Sequence, residues 1–539
     1  MLSRPDPATL KFDLMAGIAV SLLAIPQSLA YAQLAGVPPH YGLYAAFIPS
    51  IVAVLFGSSG ILSTGPVALT SLLTAASVSQ LAPPGTDPFI AYVTLLALLS
   101  GIIQLVLGLA RAGVLVNRVS HPVLMGFVNA AALLITLSQL PALTGIHVDP
   151  TGSLLLDAGH MFLKLDSAHR WTAGFGVLAL AILIAFRRFA PRLPGVLVMV
   201  IALTTLSYAI GFGALGGKVV GDIPTGLPAF ALPDTSWSAI IALLPAAFVI
   251  ALISFMEVMS SCKVIAIRTR TRWDENRELI GQGLAKIAAG FCQSMPVSGS
   301  FSRSALNLAA GARSGYSALF AGGFVLLTLL FLTPLLRHLP QPALAAMIIV
   351  AVFNLFDFGA LRRAWLANRD DGIAAIVTFV STLVFAPNIQ NGILTGVIVS
   401  LGAYIYRRMT PRTSVTSLPA SGDELAGTQP SMRILAFDAA LFFGNVSLFE
   451  EAVLGIVEAE PGLARIAVDA TGINRIDASA VEMIRSLVSR LAENGTTLAF
   501  FGAKPQFLEV ASRTGLLDDI GRANVTAGDA RALFDVRTG

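Results

Sequence analysis

Charge is what this sequence has least of. Only 12 % of its 539 residues are Asp, Glu, Lys or Arg, against about 25 % in soluble globular chains. Hydrophobic residues make up 55 % and the mean hydropathy is +0.77. These values exclude a soluble multidomain enzyme, a disordered chain and a nucleic-acid binder with a basic face, and they describe an integral membrane protein. Cysteine is nearly absent too: Cys262 and Cys292 both fall in apolar or membrane-proximal stretches, so no disulfide framework is implied. The six histidines are scattered, and the membrane part has no zinc-ligand spacing, phosphate loop or nucleophile elbow. An enzyme, a resident metal or a cofactor therefore has nothing to stand on.

What is present is a series of apolar stretches, each judged against the ~20 residues a membrane helix needs. They fall near residues 14–34, 41–57, 65–80, 88–110, 119–140, 172–190, 194–213, 236–262, 277–292, 300–311, 316–336, 342–356, 372–387 and 390–407. Several of these fourteen are too short to cross alone. Arg4, Asp6, Lys11 and Asp13 precede a full-length span without a small-residue cleavage site, so a retained first span is expected rather than a cleaved signal.

Basic residues test the count independently, because cytoplasmic loops carry excess Lys and Arg. Loops after even-numbered spans hold seventeen of them, from Arg111 to Arg412, whereas loops after odd-numbered spans hold only Lys164, Arg170, Lys218 and Arg337. One missed or invented span would invert every later loop and erase this alternation. Both termini are expected in the cytoplasm. Residues 410–430, rich in Ser, Thr, Pro and Gly, read as a linker. In 431–539, strand-like runs (Ile434–Phe437, Leu463–Val468, Thr497–Phe501) alternate with helical patterns at 446–459, 479–493 and 505–514, which predicts βαβ units in a small soluble domain.

Charges at bilayer depth cost at least ~2.5–3.5 kcal/mol each on insertion scales, so the few inside spans are functional candidates. They are Glu257, Lys286 and Arg303. A carboxyl such as Glu257 suits a group that exchanges protons, with a salt-bridged packing role as the alternative. The guanidinium of Arg303 requires an anion, either a substrate or a protein carboxylate such as Glu257. Lys286 reads as structural or cytoplasm-facing. Arg303 lies in PVSGSFSRSALNLAAG, a segment interrupted by Gly and Ser; Ser63–Ala68 opens a similar one, broken further by Thr70, Ser71 and Thr74. These are spans three and ten, hence each third in a set of seven, which predicts a 7+7 inverted repeat with its site at the midplane. Two facing half-helix N-termini, each carrying about half a positive charge, together with Arg303 describe an anion site.

At these residues the sequence resembles the sulfate permease family (SulP, solute carrier family 26). The marks are Ile25-Pro26-Gln27-Ser28-Leu29-Ala30-Tyr31-Ala32, Glu278-Leu279-Ile280-Gly281-Gln282-Gly283 and Gly299-Ser300-Phe301-Ser302-Arg303-Ser304-Ala305-Leu306-Asn307. The tail resembles the family's STAS domain, with Asp469-Ala470-Thr471-Gly472-Ile473-Asn474-Arg475-Ile476-Asp477-Ala478-Ser479 as its signature turn. The resemblance implies a polytopic α-helical membrane protein of the uracil-transporter fold. Its transport domain, 1–409, would comprise a core of spans 1–4 and 8–11 and a gate of spans 5–7 and 12–14, followed by the linker and a cytoplasmic α/β STAS domain at 431–539. Carried onto this chain, it places substrate at Gln27, Gly65, Pro66, Val67, Ala68, Phe301, Ser302 and Arg303, with proton coupling at Glu257. The sequence departs from the family at Lys286, where Asn is usual, and at Ala478, where related regulatory domains carry a phosphorylatable Ser.

The expected protein is a secondary active transporter in a cell (inner) membrane: a proton-coupled symporter of a small anion, working by alternating access. Dicarboxylates such as fumarate stand ahead of sulfate, because relatives lacking the arginine suit bicarbonate. An uncoupled chloride or bicarbonate channel or exchanger is the alternative, and a membrane-tethered signalling protein is a third class. Expected partners are the inorganic or organic anion, the coupling proton, the lipid bilayer and a second copy in a homodimer, with no nucleic acid. In a Cys262→Ala/Cys292→Ala background, Arg268→Cys should react with an impermeant maleimide only from the cytoplasm and Lys218→Cys only from outside. Labelling of the opposite sense overturns the expected cytoplasmic placement of the termini, and labelling of both from one side overturns the span between them.

Overall fold

Apolar stretches of this length have one way to satisfy their own backbone in lipid, and that is the helix. The computed structural model describes residues 6–113, 120–146, 154–190, 193–233, 236–417 and 432–530. The chain divides into two compact units, Met1–Ser400 and Leu401–Gly539.

In the first unit every one of the predicted apolar stretches lies in a helix. The first four are α1 (Pro7–Ala35), α2 (His40–Phe56), α3 (Ala68–Val78) and α4 (Asp87–Leu109). Next come α5 (His121–Thr144), α6 (Leu154–Leu163), α7 (Arg170–Phe189), α8 (Gly195–Ile210), α9 (Trp237–Thr269) and α10 (Glu275–Phe291). The last group is α11 (Phe301–Ala309), α12 (Tyr316–Leu336), α13 (Gln341–Phe353), α14 (Phe358–Ala367), α15 (Arg369–Val384) and α16 (Ile389–Met409). Two of these, α6 and α14, are short connecting helices absent from the span reading, because neither is long or apolar enough to register as a crossing. Among the described residues, eight helices are long and apolar enough to cross a membrane alone.

The third and tenth stretches are the exceptions in length. With 11 and 9 residues, α3 and α11 rise only about 16 and 14 Å, half of a ~30 Å hydrocarbon core. Each is preceded by a three-residue strand, β1 (Ser63–Gly65) before α3 and β2 (Ser298–Ser300) before α11. The strands pair antiparallel, Ser63 with Ser300, Thr64 with Gly299 and Gly65 with Ser298, and all six residues are buried. The extended residues that lead into each half-helix need backbone partners at this depth, and the ladder supplies them.

Side chains then lock the ladder to its neighbours. Gln282 Nε2 donates to Thr64 Oγ1 at 2.8 Å, Ser63 N–H donates to Ser304 Oγ at 2.9 Å, and Asn307 Nδ2 donates to the Ile61 carbonyl at 2.9 Å. Ser50 Oγ donates to the carbonyl of Thr64 at 2.7 Å. The turn leading into β1 is held by Glu278, whose Oε2 accepts the Ser58 and Ser59 N–H groups at 2.8 and 2.9 Å. Asp13 does the same for the turn before α12: its Oδ1 accepts the Arg313 and Ser314 N–H groups at 2.7 and 3.1 Å, and its Oδ2 accepts the Ser314 hydroxyl. Both carboxylates are almost fully buried.

Helix packing falls into two sets. In one, α10 lies against α4 and α2, and α1 against α2 and α12; in the other, α5 lies against α13 and α15, and α7 against α8 and α13. The α4–α10 contact is close because small residues meet across it. A Cβ on Gly283 would stand 2.6 Å from Leu105 N, and one on Gly101 2.7 Å from Ile287 N.

In the second unit a four-stranded sheet has the order β3 (Thr413–Ser417), β4 (Met432–Phe437), β5 (Arg465–Asp469) and β6 (Thr497–Phe501). The last three run parallel and β3 is antiparallel to β4. Helices α17 (Val446–Ala459) and α18 (Ala478–Glu493) make the crossovers, with α19 (Pro505–Arg513) following β6. Phe437, Phe449, Phe500 and Phe507 fill the core. One expectation is corrected here. Residues 413–417, read as linker, form the sheet's edge strand, since Thr413, Val415 and Thr416 are β-branched and suit a pleated edge. The part of the predicted linker at 418–430 lies outside the described residues.

Replacing Glu278 by Ala should destabilise the protein by about 2–4 kcal/mol, since two partly buried N–H groups lose a charged acceptor. Glu278→Gln, which keeps an acceptor oxygen, should lose less. Denaturant titration in mild detergent measures both, and equal stability of Glu278→Ala and wild type would refute the capping role.

Candidate substrate site

The β1–β2 ladder determines where the half-helices begin. Val67 is the residue before α3 and no side chain caps that end, so its first N–H groups have no side-chain acceptor. Ser300 precedes α11, and its Oγ accepts the Arg303 N–H at 3.3 Å. Because the strands are antiparallel, α3 and α11 leave opposite ends of the ladder, and both positive N-terminal ends lie within a few residues of it.

The predicted residues do not all converge. Gly65 has φ +158°, and Pro66, Val67 and Ala68 follow it, buried, into α3. Arg303 sits against them: Nη1 donates to the Pro66 carbonyl at 2.9 Å, and a Cβ on Gly65 would meet Nη2 at 3.0 Å. Arg303 is only 1 % exposed, and among the described residues its Nη2 has no partner. The cavity it lines, with Ser50, Ser63 and Thr64, has a volume of about 20 Å³, room for about one water and no oxyanion. Gln27, in α1 directly after Pro26, is buried with its Oε1 unpaired. Phe301 and Ser302 are exposed at the start of α11, Phe301 by 57 %.

Glu257, on α9, is partly exposed and forms no ion pair with Arg303 among the described residues. Its Oε2 lies 2.9 Å from Ser298 Oγ, on β2, which also lies 3.2 Å from the Ser254 carbonyl. Ser298 therefore ties the carboxylate to the ladder, a role that sequence reading missed although the residue stands two positions before Ser300 in the marked segment. Lys286 is fully buried, which rules out a cytoplasm-facing side chain. Its Nζ donates to Gln104 Oε1 at 2.7 Å and to Ser254 Oγ at 2.8 Å. A single glutamine in an apolar helix gives no sign in the sequence that it faces a lysine 182 residues away.

Around one ladder the fold thus collects two helix N-termini, two buried basic side chains (Arg303 and Lys286) and two carboxylates (Glu257 and Glu278). The basic and acidic side chains balance in number, so it is the two helix N-termini that suit an anion. The sulfate permease family model matches residues 10–378, and the STAS domain model matches residues 425–530. A probable sulfate transporter 4.2 of Arabidopsis thaliana is 32 % identical over 95 % of this chain and 79 % of its own length. A probable sulfate transporter of Mycobacterium tuberculosis is 32 % identical over 96 % of this chain and 93 % of its own. Among solved structures, the murine Solute Carrier 26 family member A9 anion transporter in the inward-facing state superposes with a TM-score of 0.90 at 21 % identity, covering 97 % of this chain and 91 % of that one. The polytopic helical membrane fold with a C-terminal α/β domain is therefore shared with that protein. The chain belongs to the sulfate permease family, with a STAS domain at its C-terminal end.

Proposed function

We propose that this chain is a proton-coupled secondary transporter of a small divalent oxyanion. The observation that carries the reading is the junction of two half-helix N-termini on the buried β1–β2 ladder, with Arg303 behind it and Glu257 attached to it through Ser298. The anion sits at the N–H groups of Val67–Ala68 and Phe301–Ser302, beside Gln27. Arg303 acts on it through its field rather than as a direct ligand, since its guanidinium is walled off. Relatives named as sulfate transporters favour sulfate, and dicarboxylates such as fumarate share its charge and its need for oxygen-binding donors.

Glu257 takes the coupling proton. Its ionised form repels a bound dianion and its protonated form does not, so proton and anion uptake favour one another. Spans 1–4 and 8–11 move as a core against spans 5–7 and 12–14 as a gate, exposing the site to each side in turn.

Uptake of labelled sulfate, fumarate and bicarbonate into proteoliposomes, with and without an inward proton gradient, tests the substrate and the coupling. The gradient should accelerate sulfate or fumarate uptake. Glu257→Gln should abolish gradient-driven accumulation while leaving anion exchange, and accumulation by Glu257→Gln at the wild-type level refutes the proton role. Chloride current without coupling would establish a channel instead.

Arg303→Ala should weaken anion binding about tenfold, on the order of one screened charge interaction. Gly65→Ala should depress uptake more than folded yield, because a Cβ at φ +158° both strains the backbone and presses on Nη2. Wild-type uptake by Gly65→Ala would remove the ladder from the mechanism.

A further inference from the structure

The transport reading leaves unused a second concentration of positive charge, in the C-terminal unit. A cavity of about 860 Å³ is lined by Arg407 and Arg408 at the end of α16, by Arg412 just before β3, and by Arg475 between β5 and α18. Asp438 is the carboxylate among its lining residues. Two stretches of chain, 407–412 and the turn that carries Arg475, therefore bring four arginines to one cavity.

Their backbones are held, so the convergence is built rather than incidental. Asn445 Nδ2 donates to the Arg408 carbonyl at 3.4 Å, Asp438 N–H to the Arg412 carbonyl at 3.3 Å, and Leu441 N–H to the Arg475 carbonyl at 3.0 Å. The Arg408 guanidinium lies over the Tyr404 ring, 5.4 Å from its centroid. Among the described residues Arg408, Arg412 and Arg475 form no ion pair. Like charges gathered about a cavity repel one another until an anion enters, and planar guanidinium forks match phosphate oxygens.

We propose that this cavity binds a phosphate-bearing anion, and that its source is the headgroup of an acidic phospholipid. Arg407 and Arg408 close an apolar helix of 21 residues, where a juxtamembrane basic cluster meets the headgroup layer. Arg412 and Arg475 extend that cluster onto the soluble fold, so one headgroup contacts both the end of the last span and the signature turn. A soluble diphosphate offers the same chemistry and is the other arm of the test.

The full-length protein is placed in nanodiscs of phosphatidylcholine, alone or mixed with phosphatidylglycerol. Co-purifying lipid is measured by mass spectrometry, and pyrophosphate binding by calorimetry in the phosphatidylcholine discs. Wild type should enrich phosphatidylglycerol over the bulk ratio. The R408Q/R412Q/R475Q variant should lose that enrichment, with affinity lower by roughly 100-fold at about fivefold per arginine, and high salt should weaken wild-type binding in the same direction. R513Q, an exposed arginine outside the cavity, should behave as wild type, and melting temperatures of all three confirm folding. Pyrophosphate binding that depends on the three arginines, without lipid enrichment, assigns the site to a soluble phosphate and overturns the lipid source. Equal lipid enrichment in wild type and the triple variant, or neither ligand bound, overturns the site itself.

Discussion

Everything in the membrane unit depends on one requirement: no backbone N–H or C=O can be left unpaired at the depth where α3 and α11 begin. A helix that starts in mid-membrane violates it four times over. Bringing two such starts together lets the extended residues before each become strands for the other, while the N–H groups of the first helical turns are not part of the ladder. The ladder is only three residues a side and could not persist alone. It persists because Glu278, Gln282, Ser304 and Asn307 fasten β1, while Ser298 and Ser300 bring polar side chains from β2.

That solution leaves an electrostatic residue. Two helix ends of the same polarity lie near one ladder, and the nearby charged side chains Arg303 and Lys286 add to the positive side. Such an arrangement would be unfavourable in a protein with no anion to accept. Glu257 and Glu278 offset it, and among the described residues Glu257 is held on Ser298 rather than in a direct ion pair.

Much of this was legible in the sequence because membranes write coarse rules into composition. Span number followed from apolar runs and from the alternation of basic loops, and the two interrupted segments stood out since Gly, Ser and Pro are conspicuous among Leu and Val. The short connecting helices α6 and α14 escaped, lacking the length of a span. Strand β3 escaped because Thr and Ser serve linkers and edge strands equally well. The direction of the Arg303 side chain and the partners of Lys286 were beyond reach for a different reason. They are set by contacts across more than a hundred residues of chain, and nothing local encodes which face of α11 turns inward.

The single-water cavity beside Arg303 bears on how such a protein tells one anion from another. A guanidinium that touched its ligand would impose fork geometry and reward oxyanions that present two oxygens to it, carboxylates and tetrahedral ions alike. Enclosed as it is, this one contributes charge without shape. If the anion binds as proposed, discrimination falls to main-chain donors at the helix ends, which only a proline substitution removes. Substrate preference in this architecture would drift through changes in spacing around the ladder, not through exchange of ligating residues.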